Sequence, residues 1–326
     1  MKKILVIGST VVDVIITLED HLPRTQEDVH VVRQKMSLGG CAYNTSDMIR
    51  HFRVPYTLFS PIGTGAYGDF VRTRLRERNI DTPIPTPDQD NGCCYCFIEK
   101  GGERTFISYH GAEYRFRREW FSLLNPEEIE SVYICGLEIE EETGIHIVEW
   151  LEANPQLTVY FAPGPRINRI SPDLLSRIFA LHPILHLNEE EVCSYAAQHS
   201  SPEQESQTQN AAAETISSSD LRYRNTEMEQ AVQYLYGLTG NTVIVTLGRH
   251  GSYYQSDSAA EYVEGFPAQQ TDTIGAGDSH IGAVIACRHL GMSYRDAVRS
   301  ANLAAAKVVE TEGAQLSDES FAEISF

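Results

Sequence analysis

The sequence predicts an α/β protein, with helices on both faces of a mostly parallel sheet and a smaller second sheet beside it. Three observations predict this. Short apolar runs recur along the chain, amphipathic helical stretches separate them, and two strand pairs have no helix between their strands. The runs are Ile4–Ile7, Tyr56–Phe59, Val132–Cys135, Leu157–Phe161, Ile184–Leu187 and Val243–Leu247. Continuous apolar runs of this length suit strands buried on both faces. The helical stripes between them are Met48, Ile49 and Phe52; Ile145, Val148 and Leu151; and Leu174, Leu175, Ile178 and Phe179. Two more close the chain: Ile281, Val284 and Ile285, then Val298, Ala301, Ala305 and Val308.

The strand pairs without helices are Val14–Thr17 with Val29–Arg33, and Cys93–Glu99 with Arg104–Tyr109 across Lys100-Gly101-Gly102-Glu103. They read as two insertions that build a small sheet able to cover a site. The expected organisation is an α/β core of residues 1–13, 36–91 and 112–326, which carries the nucleotide and phosphate sites. Residues 14–35 and 92–111 form the β lid. Within the core, 198–225 is rich in Ser, Gln, Glu and Ala without apolar periodicity, and reads as a mobile surface insertion.

With 326 residues, 42% of them hydrophobic, the chain can bury a sizeable core. Its 45 acidic and 26 basic residues give a formal net charge of −19. That balance argues against nucleic acid or an anionic membrane as partner. The early apolar run is broken by Gly8, Ser9 and Asp13, so it reads as neither signal peptide nor membrane span. Seven cysteines, an odd number within apolar runs, suit reduced thiols in a cytoplasmic protein. Cys93, Cys94 and Cys96 could in principle ligate a metal, but a strand alternates its faces, and plain packing is the simpler reading.

The strongest local signal is Thr271-Asp272-Thr273-Ile274-Gly275-Ala276-Gly277-Asp278, ahead of an expected helix Ser279–Leu290. Small residues at Gly275, Ala276 and Gly277 let backbone N–H groups approach a ligand, and a helix start adds unpaired donors and partial positive charge. Together they make a phosphate cradle. Asp278 beside it can take a proton from an attacking hydroxyl, and the helix field should keep its carboxylate ionised at neutral pH. The plainer alternative is that Asp278 caps the helix and the glycines make a turn. Elsewhere, Gly39 and Gly40 ahead of a helix can bring backbone close to a small polar substrate. Asp13 and Asn44 offer an acceptor pair and an amide suited to vicinal hydroxyls, or else a turn with two caps. Asn188 and Glu191 start a helix after a buried strand. Glu191 can hold a hydrated Mg²⁺, or simply belong to an acid-rich helix start with Glu189 and Glu190.

The Thr271–Asp278 stretch resembles the D-T-x-G-A-G-D signature of the ribokinase-like (PfkB) carbohydrate kinases, and further motifs agree in order and spacing. Gly8 to Asp13 resembles the family's first strand and its sugar-binding Asp; Gly39-Gly40-Cys41-Ala42-Tyr43-Asn44 resembles the G-G-x-x-x-N loop. Gly63 to Asp69 resembles G-x-D-x-x-G, with Gly65 in place of the acid. Asn188 and Glu191 resemble N-x-x-E; Thr246-Leu247-Gly248-Arg249-His250-Gly251 resembles the T-L-G-x-x-G turn; and Gly313-Ala314-Gln315 resembles the C-terminal G-A loop. The likeness spans nearly the whole chain apart from 198–225 and is closest to an uncharacterised sugar-kinase branch. It implies a ribokinase-like three-layer sandwich with a mostly parallel central sheet and a small β-sheet lid.

The implied reaction is transfer of the ATP γ-phosphoryl to a hydroxyl of a sugar or sugar-like molecule. Asp278 is the base, and Gly275, Ala276 and Gly277 form the anion hole. The resemblance assigns Asp13, Gly39, Gly40, Asn44, Glu138 and Arg166 to the substrate. To ATP it assigns Asn188, Thr246, Gly248, Gly251 and Asn302. Mg²⁺ would be held by Glu191 through water. A K⁺ ion, where the family uses one, would sit among Asp272, Ile274, Val308, Thr311, Gly313 and Ser317. The family also implies a homodimer formed through the lid. Phe161-Ala162-Pro163-Gly164-Pro165-Arg166 resembles the D-x-N-x-R stretch of sugar-acid kinases but retains only Arg166.

The main rival is a nucleoside kinase of the same fold, which Tyr43 and Tyr109 would favour if they faced a base. A non-catalytic sugar sensor is a further alternative, against which the intact Asp278 cradle argues. The third rival is a dehydrogenase. Gly63-Thr64-Gly65-Ala66-Tyr67-Gly68 follows a strand as G-x-G-x-x-G, and Glu99 could pose as the ribose acid. That reading leaves the Gly275–Asp278 cradle unexplained.

Overall fold

A computed structural model describes residues 2–199 and 224–324. Most of the expected insertion, 198–225, lies outside the described residues. Each of the six apolar runs forms a strand: β1 (Lys3–Ile7), β4 (Tyr56–Phe59), β7 (Ile129–Cys135), β8 (Thr158–Ala162), β9 (Ile184–Asn188) and β10 (Val243–Thr246). They pair in parallel, and two antiparallel strands, β11 (Gly251–Gln255) and β12 (Ala260–Glu264), extend one edge. The spatial order of this eight-stranded sheet is β12-β11-β10-β9-β8-β7-β1-β4.

Strand alternation divides the core in two. In β1, Leu5 and Ile7 enter a cluster with Val132, Ile134, Phe161 and Leu185, covered by the helices Gly144–Glu152, Pro172–Phe179 and Thr226–Thr239. Ile4 and Val6 point to the other face. There Tyr43, Met48, Ile49, Ile281, Val284, Val298 and Ala301 cover them from the helices Cys41–His51, Ala276–His289 and Tyr294–Val308. Apolar runs hydrophobic on both faces are therefore the consequence of a sheet sandwiched between two helical layers.

The smaller sheet has four strands in the order β3-β2-β5-β6. They are β2 (Val11–Leu18), β3 (Val31–Gly39), β5 (Cys93–Ile98) and β6 (Arg104–Tyr109). Here β2 and β3 reach further toward the main sheet than the expected strand segments. Val11 pairs with Gly39, so Asp13 lies inside the pairing, opposite Ser37 and Cys94. The reason is that Val11, Val12 and Val14 are buried, and Val12 and Val14 join the core cluster beside Tyr43. Gly102, at a φ of 92°, makes the turn between β5 and β6. Glu99 accepts the N–H of Leu22 at 2.7 Å and ties the lid's two insertions together. Cys93 and Cys96 are buried, and among the described residues no group of His, Cys, Asp and Glu is placed to hold a metal ion. No described helix is long and apolar enough to cross a membrane.

Candidate active site

The helix Ala276–His289 begins with Gly275 in the left-handed region at a φ of 73°. A Cβ there would come within 2.4 Å of the Ala314 side chain. Only glycine fits both the angle and the contact. At Gly277 a Cβ would meet nothing within 4 Å, so the missing side chain leaves open space at the helix start rather than room for packing. Open space at a helix start, where backbone N–H groups lack intrahelical partners, is what an anion requires; of these donors, the Ala276 N–H also makes a long bond to the Thr273 carbonyl at 3.3 Å.

Asp278 stands on the first turn of this helix. Its Oδ2 accepts the Asn44 Nδ2 at 2.9 Å, and Asn44 Oδ1 accepts the Gln315 Nε2 at 2.7 Å. Gln315 also donates to the Leu38 carbonyl at 3.1 Å. The Asn44 amide is thus held between Asp278 and Gln315, and it orients the carboxylate. Burial pushes Asp278 up to about 6, and the Asn44 hydrogen bond pulls against that rise. Burial rather than the helix start dominates the shift, and the carboxylate stays mostly ionised at pH 7, as the sequence argument expects.

Asp13 approaches the same place from the lid. Burial, then repulsion from Asp278 and Asp272, raises it to about 7. A Cβ on Gly39 would lie 1.9 Å from Asp13 Oδ2, which is why the chain needs glycine there. Gly40, at a φ of 96°, caps the helix Cys41–His51 and would clash with the Ser9 carbonyl if it had a side chain. Glu138 lies beneath, 1% exposed, with Oε1 accepting the Ser9 N–H at 2.8 Å; burial raises it to about 7. Arg166 pairs with Glu140 at 3.0 Å, so its charge is answered within the protein.

A cavity of about 650 Å³ is lined by Thr246, Gly248, Gly251, Asn302, Ala276 and Gly277, among others. Four of the five residues expected to bind nucleotide therefore share one cavity with two of the anion-hole residues. Asn188 is the exception. Its Oδ1 accepts the Glu191 N–H at 2.8 Å, and Glu191 Oε2 accepts the Asn188 N–H at 2.9 Å, a reciprocal helix cap. Burial raises Glu191 above the ordinary carboxylate range. One group that sequence reasoning missed is His280, which also lines the cavity. Its Nδ1 meets His186 Nε2 at 2.9 Å, and its Nε2 faces Ser252 Oγ and Asn302 Oδ1, each at 3.0 Å. Burial holds both imidazoles below their ordinary range, His280 down to about 4, so this chain is neutral. Asn302 in turn donates to the carbonyls of Val263 and Glu264 at 3.0 and 3.1 Å.

Asp272 is one of the six residues expected to hold K⁺. It is buried, and its carboxylate accepts from Ile274 N at 2.8 Å, from Gly313 N at 3.0 Å and from the Arg104 guanidinium. Arg104 and Gln315 were not foreseen as site residues. They lie 168 and 271 positions from their partners Asp272 and Asn44, and no local motif announces such pairs.

In the G-x-G-x-x-G segment the first and last glycines are packed against backbone. A Cβ on Gly63 would lie 2.4 Å from the Gln89 carbonyl, and one on Gly68 would lie 1.9 Å from the Gly63 carbonyl. Arg72 covers that same carbonyl at 2.6 Å, and Glu99 is spent on Leu22. These glycines serve chain packing. Tyr43 is fully buried, with its hydroxyl against Arg78, so it has no face to offer a base.

Comparison with known proteins bears on the family and the fold. The family described as pfkB family carbohydrate kinase matches residues 1–320. An uncharacterised sugar kinase of Escherichia coli (strain K12) is 31% identical over 96% of this chain and 90% of its own length. Ribokinase from Thermotoga maritima superposes with a TM-score of 0.78 at 20% identity, over 99% of this chain and 98% of its own. A putative ribokinase II from E. coli, solved with ATP and Mg²⁺, gives 0.74 at 22% identity over 99% of both chains.

Proposed function

The chain belongs to the pfkB family of carbohydrate kinases, phosphotransferases by family, and we propose that it moves the γ-phosphoryl group of ATP to a hydroxyl of a sugar or sugar-like small molecule. One observation carries the reading: Asp278, held at 2.9 Å by Asn44, sits on the first turn of a helix whose glycine start opens onto a cavity large enough for a nucleotide. The acceptor hydroxyl is placed between Asp13 and Asp278. Asp278 takes its proton as the oxygen attacks, and the N–H groups of Ala276, Gly277 and Asp278 stabilise the charge on the transferring group. Asp13, close to half-protonated at neutral pH, can both donate to and accept from a sugar hydroxyl. Bound Mg²⁺ would supply charge neutralisation at the phosphates, and half-buried Glu191, to which the family resemblance gives this role, would hold it through water. Thr246, Gly248 and Gly251 bring backbone close to the nucleotide.

A neutral acceptor is favoured over a sugar acid, because Arg166 already pairs with Glu140. A nucleoside acceptor loses one of its two expected aromatic contacts with Tyr43 in the core. The testing experiment is a coupled ADP-release screen over sugars, sugar acids and nucleosides, followed by Asp278→Asn with the best acceptor. Asparagine keeps the size and much of the hydrogen bonding but cannot act as a base. We expect kcat to fall by about 10²–10⁴-fold with the nucleotide Kd nearly unchanged. Near-normal turnover by that variant would refute the mechanism and leave Gly275–Asp278 as a capped turn.

A further inference from the structure

We propose that Arg104 supplies, from within the chain, the positive charge that a K⁺ ion would bring beside the anion turn, so that this protein works without a monovalent cation. The inference rests on reading Gly275–Asp278 as a phosphate cradle. Its geometric part concerns the six residues expected to hold the ion. With Arg104 on Asp272, those residues do not fit one. Asp272 Oδ1 accepts from both the Arg104 guanidinium and the Ile274 N–H, and Oδ2 accepts from the Gly313 N–H. The Val308 carbonyl accepts from the Thr311 N–H at 3.0 Å and from the Thr311 hydroxyl at 2.8 Å. Ser317 caps the next helix by accepting the Ser320 N–H at 3.0 Å. A K⁺ ion needs several oxygens free to replace its hydration shell. Here three of the expected ligands are already engaged by protein donors.

The charge balance points the same way. The Asp272 side chain is 3% exposed and that of Arg104 is 21% exposed, so the pair is largely out of water. A buried carboxylate needs a partner, and a second cation on it would be repelled by the guanidinium. Arginine stays charged at any working pH. The lid delivers this charge: Arg104 opens β6, opposite Ile98, on the sheet face that also carries Cys94 and Asp13. Arg33 and Lys35 of β3 add weaker, more exposed contacts to Glu312 at 3.2 and 3.8 Å, beside Gly313. The lid thus brings to the cradle both the substrate-facing Asp13 and the cation that balances its loop.

Thermal unfolding of the whole protein, in KCl against tetramethylammonium chloride at equal ionic strength, tests this without nucleotide, acceptor or turnover. Its failure is therefore separable from failure of the kinase reading. The wild-type Tm should be the same in the two salts. Arg104→Gln should lower Tm in tetramethylammonium and regain roughly 4 °C or more in KCl, because the vacated carboxylate then binds the ion. Arg104→Lys should remain indifferent to K⁺. A K⁺-specific rise in the wild-type Tm would overturn the proposal, as would an Arg104→Gln protein that folds but ignores K⁺. If Arg104→Gln does not fold in either salt, the wild-type and Arg104→Lys comparisons decide by the same criteria.

Discussion

Asp13, Asp278 and Glu138 crowd one small region, and burial raises all three, to about 7, 6 and 7. Two pH effects follow, with opposite signs. The base must be ionised, so kcat should fall as pH drops through about 6; a pH–rate profile of the acceptor-saturated protein checks this, and a flat profile down to pH 5 would exclude Asp278 as the base. Stability runs the other way. Unfolded, Asp13 titrates near 3.8; folded, near 7, so between these values the native state holds the extra proton. Stability therefore falls as pH rises across that window. Asp13→Asn removes the charge, so its Tm relative to wild type should improve steadily from pH 4 to pH 8, while affinity for the sugar drops. An Asp13→Asn difference that does not change with pH would mean that Asp13 is not strained by burial. The position of Asp278 was legible because a glycine turn and a helix start are local. Its raised pKa was not, because burial depends on Asn44, Gly39 and the lid arriving from elsewhere in the chain.

At the scale of elements, the buried strands were the legible part. Ile4–Ile7 and Val243–Leu247 are apolar on both faces because helices cover both faces. β11 and β12 escaped because polar residues interrupt their apolar pattern: β12 (Ala-Glu-Tyr-Val-Glu) is the sheet edge, and β11 (Gly-Ser-Tyr-Tyr-Gln) buries a serine. The start of the helix Glu189–His199 shows a different limit: an Asn and a Glu three residues apart announce a cap and a metal ligand equally well. The cap is present, with both bonds made. Glu191→Gln separates the two roles, because glutamine also closes a capping box. The expected outcome is an unchanged Tm and a rise of about 10-fold or more in the Mg²⁺ concentration needed for half-maximal activity. A variant with wild-type Mg²⁺ dependence would leave Glu191 as a cap alone.

For the whole molecule, the question is what covers the lid. Of the eight large hydrophobic side chains exposed among the described residues, five lie on it: Val31 and Val32 on β3, and Phe106, Ile107 and Tyr109 on β6. These two strands are the edges of the four-stranded sheet. Exposed apolar edge strands invite pairing with another chain. A net charge of −19 keeps copies of this protein apart elsewhere, whereas β3 also carries Arg33 and Lys35, which locally reduce that repulsion. A second copy of the chain is the partner that would cover these edges, by packing lid against lid, and a dimer would also steady the strands that carry Asp13 and Arg104. Light scattering should then give about twice the 36.5 kDa chain mass. Replacing Val32 and Ile107 together by lysine should return the monomer mass with the fold intact by circular dichroism, and should weaken sugar binding more than nucleotide binding, since the lid carries Asp13 and the cavity lining does not include it. A wild-type protein that is monomeric at working concentration, or a lysine variant that stays dimeric, would show that the lid edges are exposed for another reason.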